Sequence, residues 1–490
     1  VNQMNRSRSL GINALLNGLR NCLNLIFPLV TFPYVSRILS VKGMGIYNFS
    51  NTYVGYFLLI AGLGINTYAV REGAKYRDNT TNMSLFASQV FTINIYSTII
   101  AYLLLFVSII IFNNLSNYVA CIIIFSIQLF FTTLGTEWIY VIYEDYSYIT
   151  IRSILFKIIS LALLFMFVKN KSDYLIYAGI TVFSAVGSNI LNYIHAKSML
   201  SIRIVRKTDL HRHLKPIIII FASAVAVNIY IYSNNIILGL LKGDYDVGLF
   251  SVAVKIYTIV QGILTAVLTV TIPRLAMLYG KKLFNKYHAL LAELINFLII
   301  ISLPAIVGLF VLSKEVILLI AGEKYLPSTQ SLKVISFAIV FSIFSWVFSD
   351  CVLIPAKREA KLFRGTVITA ALNLIFNFIL IPIYAYNGAA FCTVLSELVM
   401  MVINGYYSWD IVRNIVISRN VIKNLFDSLL GCLGILIVCY VFQLYIDTII
   451  FRICMSIVAS AFVYFCILAL LKNKVMIYLI KSGLKFIKHN

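Results

Sequence analysis

Apolar runs recur along the chain, separated by short polar breaks. Crossing a hydrocarbon core of ~30 Å takes ~20 apolar residues in a helix. On that measure the pattern predicts fourteen spans: 11–36, 46–68, 85–112, 118–142, 148–168, 174–195, 216–240, 248–272, 289–312, 331–355, 363–384, 387–408, 425–446 and 448–471. The runs are continuous, whereas a membrane barrel alternates apolar and polar residues over ~10-residue segments. The expected fold class is therefore all-α, a polytopic membrane helix bundle. The first run extends well past the apolar region of a signal peptide and reads as the first span.

Composition narrows this further. Of 490 residues, 61% are hydrophobic and 12% charged, with a mean hydropathy of +0.93. Soluble domains carry roughly 45–50% apolar and about 25% charged residues, so a soluble globular chain and a disordered one are both excluded. The connections between spans are short, none much longer than 196–215. They leave no room for a soluble catalytic domain, and the activity is expected in the membrane or at its faces.

The 40 Lys and Arg against 18 Asp and Glu give a net charge of +22. In a soluble protein that excess would point to nucleic acid; here it is topological. Alternate connections carry 27 basic residues on the side of the N-terminus and 7 on the other. Basic loops stay cytoplasmic, so both termini are expected inside. Connection 143–147 is the misfit, an inner segment offering Glu144 and Asp145 with no base. The tail 472–490 sets Met476, Ile480, Leu484 and Ile487 at helical spacing, with Lys481, Lys485 and Lys488 on another face. This is the pattern of a helix lying on anionic lipid.

An internal repeat is visible. Ile38-Leu39-Ser40-Val41-Lys42-Gly43-Met44-Gly45-Ile46-Tyr47 resembles Ile237-Leu238-Gly239 through Asp246-Val247-Gly248-Leu249-Phe250, and Ile151-Arg152-Ser153 resembles Phe363-Arg364-Gly365. The repeat unit is six spans, an even number, so the two halves are parallel. The expected organisation is an N-terminal lobe at 1–195, a basic linker at 196–215, a second lobe at 216–410, and two further spans with the tail at 411–490. Two such lobes suit rocking between inward-open and outward-open states.

Ionisable residues inside spans are costly, and their default place is the bundle interior or a wet cavity. Span 1 lines up Asn13, Asn17, Arg20, Asn21 and Asn24 at steps of three or four, one helical stripe. Such a stripe glues helices together or lines a cavity; Arg20 suits a phosphate. Span 7 offers Asn228, Asn234 and Asn235 as a thinner counterpart. Arg152, Lys157 and Lys255 lie within spans, while Lys333 and Arg452 lie near span ends and can snorkel. Glu397 is almost central in span 12, either a proton or Na⁺ site or half of a structural ion pair. Arg20, Arg152, Lys157 and Lys255 together would make a basic cavity for an anionic amphiphile. No catalytic or metal-binding constellation is present in the sequence. The eight cysteines lie in apolar stretches without CxxC spacing and read as buried.

Several segments carry a family resemblance. They are Pro28 through Leu39 followed by Gly43-Met44-Gly45-Ile46-Tyr47; Gly62-Leu63-Gly64-Ile65-Asn66 with Ala69-Val70-Arg71-Glu72; Glu137-Trp138-Ile139-Tyr140 leading into Tyr148 through Ser153; Val252-Ala253-Val254-Lys255-Ile256-Tyr257; and Leu372 through Asn377 with Gly388-Ala389-Ala390. In order and spacing they resemble the polysaccharide repeat-unit flippases of the Wzx type, which serve O-antigen and capsule assembly. These belong to the multidrug/oligosaccharidyl-lipid/polysaccharide exporter superfamily. The resemblance implies a non-enzymatic transporter in the bacterial plasma membrane. It would turn undecaprenyl-diphosphate-linked oligosaccharide from the cytoplasmic to the outer leaflet by alternating access, with no cofactor beyond H⁺ or Na⁺ coupling and a polysaccharide polymerase as a candidate partner. It casts Arg20, Asn17, Asn24, Arg152, Lys157, Lys255 and Asn228 as substrate contacts, Glu397 as the coupling site, and Arg37, Arg71 and Glu72 as gates or anchors. The competing readings are a drug/cation antiporter of the same superfamily, which would need an acidic cavity, and a membrane polymerase or ligase, which would need a long outer loop.

Overall fold

The computed structural model describes residues 27–205, 209–473 and 475–477. Among these the chain is helical throughout and forms no strand. The first described helix, α1, covers 27–38. It is followed by α2 (Val41–Gly62), α3 (Ile65–Gly73), α4 (Thr80–Ile111), α5 (Val119–Gly135), α6 (Glu137–Ile142), α7 (Tyr146–Phe167), α8 (Tyr174–Val186), α9 (Asn189–Met199) and α10 (Leu210–Lys242). Then come α11 (Asp244–Gly280), α12 (Phe284–Val311), α13 (Ser313–Ile320), α14 (Thr329–Ser336), α15 (Ala338–Trp346), α16 (Glu359–Val416), α17 (Arg419–Tyr445) and α18 (Ile449–Leu470). By contact the chain separates into two compact units, Val1–Gly248 and Leu249–Asn490.

Eleven described helical segments are long and apolar enough to cross a membrane, and a bent pair, Glu323–Ser336 with Ala338–Leu353, supplies a twelfth. One of the eleven, α16, is two helices joined at Ala385, whose backbone is non-helical (φ 50°, ψ −130°), and so covers two expected spans. With α1 the number approaches the fourteen expected. The asparagine stripe of span 1, with Arg20, and most of the basic tail lie outside the described residues.

Helix starts fall where the sequence places a small polar residue in a connection. The Ser40 hydroxyl accepts Gly43 N–H at 3.0 Å, Asn79 Oδ1 accepts Asn82 N–H at 3.0 Å, and Asp145 Oδ1 accepts Tyr148 N–H at 3.3 Å. Each satisfies an amide that the first helical turn leaves open. Several spans are broken within their apolar run: positive φ at Leu63 and Gly64 separates α2 from α3, and at Thr136 separates α5 from α6.

Contacts between connections reveal which of them share a face. Arg77 Nη1 pairs with Glu144 Oε1 at 2.9 Å, the Ser40 amide donates to Lys171 O at 3.1 Å, and the Tyr118 hydroxyl donates to the Asp244 carboxylate. In the second unit Arg358 Nη2 meets Asp410 Oδ2 at 2.6 Å, and Arg452 Nη1 meets Glu315 Oε1 at 3.4 Å. Arg77–Glu144, Ser40–Lys171 and Arg358–Asp410 join connections of the same parity in the alternation of spans, while Tyr118 and Arg452 stand at the starts of their spans and reach connections of the same parity as the one that precedes them. The misfit connection 143–147 is explained: Glu144 takes its countercharge from Arg77 on the neighbouring loop.

The segment after α9 runs extended along α4 on a hydroxyl ladder. Ser201 N–H donates to Ser84 Oγ at 3.2 Å, Arg203 N–H to Ser88 Oγ at 3.1 Å, and Val205 N–H to Thr92 Oγ1 at 3.1 Å. The registers match physically. Four helical residues rise ~6 Å and two extended residues ~6.6 Å, so every second amide meets every fourth side chain.

The two repeat segments meet each other within the first unit. A Cβ on Gly45 would lie 1.7 Å from Asp244 O, and one on Gly248 would lie 2.2 Å from Val41 O. The contact is reciprocal: each segment's glycine receives the backbone of the other where the repeat aligns them. In the second unit, α17 and α18 are bolted to α12 and α13 at both ends. At one end the Asn473 amide donates to Asn424 Oδ1 at 2.8 Å and Asp427 Oδ2 at 2.7 Å, and Asn424 donates to Asn296 Oδ1 at 2.5 Å. At the other end is the Glu315–Arg452 pair, joined by Gln443 Nε2 at 3.3 Å from Glu315 Oε1. Ile300, Ile435, Tyr464 and Leu468 fill the space between. Among the described cysteines, five are buried as expected, but Cys454 and Cys466 are exposed on α18, because that helix turns one face away from the bundle.

Two outcomes follow. Gly45→Ala overpacks the close approach and is expected to cost about 1–3 kcal/mol, read as a lower melting temperature of the detergent-purified protein. Arg452→Met leaves Glu315, 5% exposed, without its countercharge at a cost of about 3–5 kcal/mol, and adding Glu315→Met recovers most of that loss.

Candidate functional site

In the first unit the expected cations sit on α7. Arg152 is buried, 8% exposed, and its guanidinium carbon lies 5.8 Å from the Tyr148 ring centre. Tyr148 stacks on His195 of α9 at 4.3 Å and on Tyr140 of α6 at 5.2 Å. The Tyr140 hydroxyl donates to Asn192 O at 2.7 Å, anchoring the stack to α9. Arg152 thus sits beside a three-ring aromatic cluster, in which the Tyr140 and His195 rings also lie 5.7 Å apart, a setting that suits guanidinium better than ammonium. Lys157 is half-buried, and its Nζ lies 5.9 Å from the Phe27 ring of α1. A five-residue step turns the helix by about 140°, so the two cations make separate positive points. Lys157 thus faces α1 at its first described residue.

Asn228 on α10 is half-buried and donates back to Ala224 O of its own helix at 2.8 Å. Its carbonyl oxygen is left pointing off the helix. Asn235 donates across to Thr52 Oγ1 of α2 at 3.3 Å and acts as helix glue. At the polar boundary Glu72 is clamped by Lys75 at 2.6 Å and Arg71 at 3.3 Å, and Arg37 is exposed.

In the second unit Lys255 is half-buried on α11, and its ammonium makes no ion pair among the described residues. Two residues on, Tyr257 is buried and within electrostatic reach of Glu397 on α16. Lys255 and Tyr257 lie on opposite sides of α11, so Glu397 approaches the tyrosine face. Next to Glu397, Ser396 Oγ accepts from Asn373 Nδ2 at 2.8 Å, and Asn377 Nδ2 donates to Asn373 Oδ1 at 2.9 Å. All three of these side chains are fully buried.

Two polar features escaped the sequence reading. Asn373 and Asn377 were visible as an i, i+4 pair, but their partner Ser396 is not local. His213, read as part of a basic loop, is buried in the first turn of α10. Its Nδ1 faces the Tyr68 hydroxyl at 2.6 Å and its Nε2 faces Gln89 Oε1 at 2.8 Å. A His before an apolar run in a basic segment gives no sign of which helices will enclose it.

A many-span helical bundle with cations placed inside its spans has the architecture of a membrane transport protein. The family described as "Polysaccharide biosynthesis protein" matches residues 10–279, more than half of the chain, and the chain belongs to it. A putative O-antigen transporter of Shigella dysenteriae is 25% identical over 402 residues, covering 79% of this chain and 97% of the relative. The fold resembles that of the lipid II flippase MurJ in an inward closed conformation, with TM-score 0.74, 14% identity, and coverage of 95% of this chain and 99% of that one. An inward-facing multidrug resistance MATE family transporter matches with TM-score 0.60 at 14% identity, covering 83% of this chain and 99% of that one.

Because the Lys255 ammonium gives up no ion pair when removed, Lys255→Met is expected to leave the melting temperature unchanged or raise it by relieving burial of a charge. The same thermal assay in detergent checks this.

Proposed function

We propose that this protein is a flippase for lipid-linked oligosaccharide in surface polysaccharide assembly. It moves the sugar-bearing head group from the cytoplasmic to the outer leaflet of a bacterial plasma membrane by alternating access. The carrier lipid is undecaprenyl diphosphate, the termini are cytoplasmic, and a polysaccharide polymerase takes up the product. The observation that carries this reading is Lys255 on α11, a half-buried cation within a span that makes no ion pair among the described residues; the span cations Arg152 and Lys157 on α7 have the same sign. An unpaired charge is expensive in hydrocarbon, and an anionic diphosphate is a ligand that offsets the cost at Lys255. The charge excess of 27 to 7 on alternate connections supports the orientation.

In this mechanism Arg20, Arg152, Lys157 and Lys255 are the candidate contacts for the diphosphate, and the amides Asn17, Asn24 and Asn228 those for the glycan. Glu397 beside Tyr257 is the place for a coupling H⁺ or Na⁺. Arg37, Arg71 and Glu72 act as boundary anchors. A cationic drug would be repelled by the same interior, which disfavours the antiporter reading.

Complementation of a flippase-null strain tests this. The wild-type gene restores polymer. Arg152→Met and Lys255→Met reduce transport roughly ten- to a hundredfold, the worth of a hydrogen bond to a charged group, with lipid-linked unit accumulating on the inner leaflet. Normal polymer from the double variant sinks the proposal.

A further inference from the structure

The second unit carries a cavity of about 520 Å³ between the end of α12, the α14–α15 bend and the second half of α16. Phe310, Phe337, Phe341 and Phe391 form its walls, and Gln330 and Lys333 are its polar members. The mouth lies where α12 ends and the second helix of α16 begins, pinned by Ser331 Oγ donating to Asn387 Oδ1 at 2.7 Å. From Gln330 to Phe341 the chain covers at most about 16 Å across the bend, comparable to half of a ~30 Å hydrocarbon core. The groove is polar at the Gln330 and Lys333 end and aromatic beyond it.

Lys333 is the informative group. Its Nζ sits 5.5 Å over the Phe310 ring, and it makes no ion pair with a carboxylate among the described residues. A cation held by an aromatic face at the interface, above an apolar slot, is complementary to a phosphate with an attached chain. Phe337 and Phe391 are exposed, so the slot is open from the side. Its volume, within the range of small-molecule sites, accommodates one acyl chain and only part of a polyprenyl chain.

We propose that this groove is a binding site for an anionic glycerophospholipid, with Lys333 on the phosphate and one acyl chain among the four phenylalanines. The site lies in the leaflet that the charge distribution assigns to the outer face, and Lys255 of α11 is not among its lining residues.

Native mass spectrometry of the full chain in detergent tests this, with phosphatidylglycerol and phosphatidylcholine of identical acyl chains in competition. Wild type retains phosphatidylglycerol preferentially. Lys333→Gln loses that preference roughly fivefold, the contribution of one basic side chain at an anionic surface. Lys333→Arg keeps it, and so does Lys314→Gln on the same connection. Phe391→Trp fills the slot and lowers retention of both lipids. An unchanged preference in Lys333→Gln overturns the proposal, as does an equal loss in Lys314→Gln. A third arm adds a polyprenyl phosphate at equal concentration: displacement of the phosphatidylglycerol would assign the groove to the carrier lipid and also overturn it.

Discussion

In hydrocarbon a backbone amide has no water to bond, and this constraint organises everything else in the chain. It makes the spans helical and confines irregular backbone to places where protein supplies the missing partners. The breaks at Leu63–Gly64, Thr136 and Ala385 are such places. At Ala385 the chain reverses so tightly that a Cβ on Gly388 would lie 2.3 Å from Leu380 O, and a glycine is what the close approach admits. Outside the spans, the extended segment 201–205 bonds its amides to borrowed acceptors, side-chain hydroxyls taking the place of the carbonyls of a helix or sheet.

The constraint extends to charge. Glu315 and Arg452 are tolerable inside the second unit because each neutralises the other and Gln443 takes a further lone pair. Asp427 is tolerable because Asn473 donates to it. These groups are structural by their partners. Lys255 is different in kind: its half-buried ammonium lies within a span and makes no ion pair among the described residues. A charge that the fold does not satisfy is one that a ligand can.

Much of the architecture was legible in the chain because it is set locally. Apolar run length marked the spans, and Ser40, Asn79 and Asp145 marked helix starts within a few residues. The basic bias marked alternation, which contacts such as Arg77–Glu144 support. Illegible were features set by partners distant in sequence. The apolar run over 118–142 has nothing to show that Thr136 takes a positive φ, and Cys454 and Cys466 look as core-like as Cys432 until the packing of α18 is known. Of the candidate site, Arg152, Lys157 and Lys255 were found by their charge alone. That Arg152 borders the Tyr140–Tyr148–His195 cluster and Lys157 turns toward Phe27 depends on how the helices dock, which periodicity does not encode. Lys333 was recognisable as a residue near a span end; its place above Phe310 was not.

The hydroxyl ladder has a mechanical consequence for the connection it holds. Its rungs on Ser84, Ser88 and Thr92 are separate bonds of about 0.5–1.5 kcal/mol each, ordered along one helix and exposed to peeling from either end. A tether fastened in that way is compliant in steps rather than hinged at a point. Each rung released frees two residues of extended backbone, about 6.6 Å of slack, at a cost comparable to thermal energy. The connection from α9 to α10 can therefore lengthen in small increments while α4 itself stays rigid.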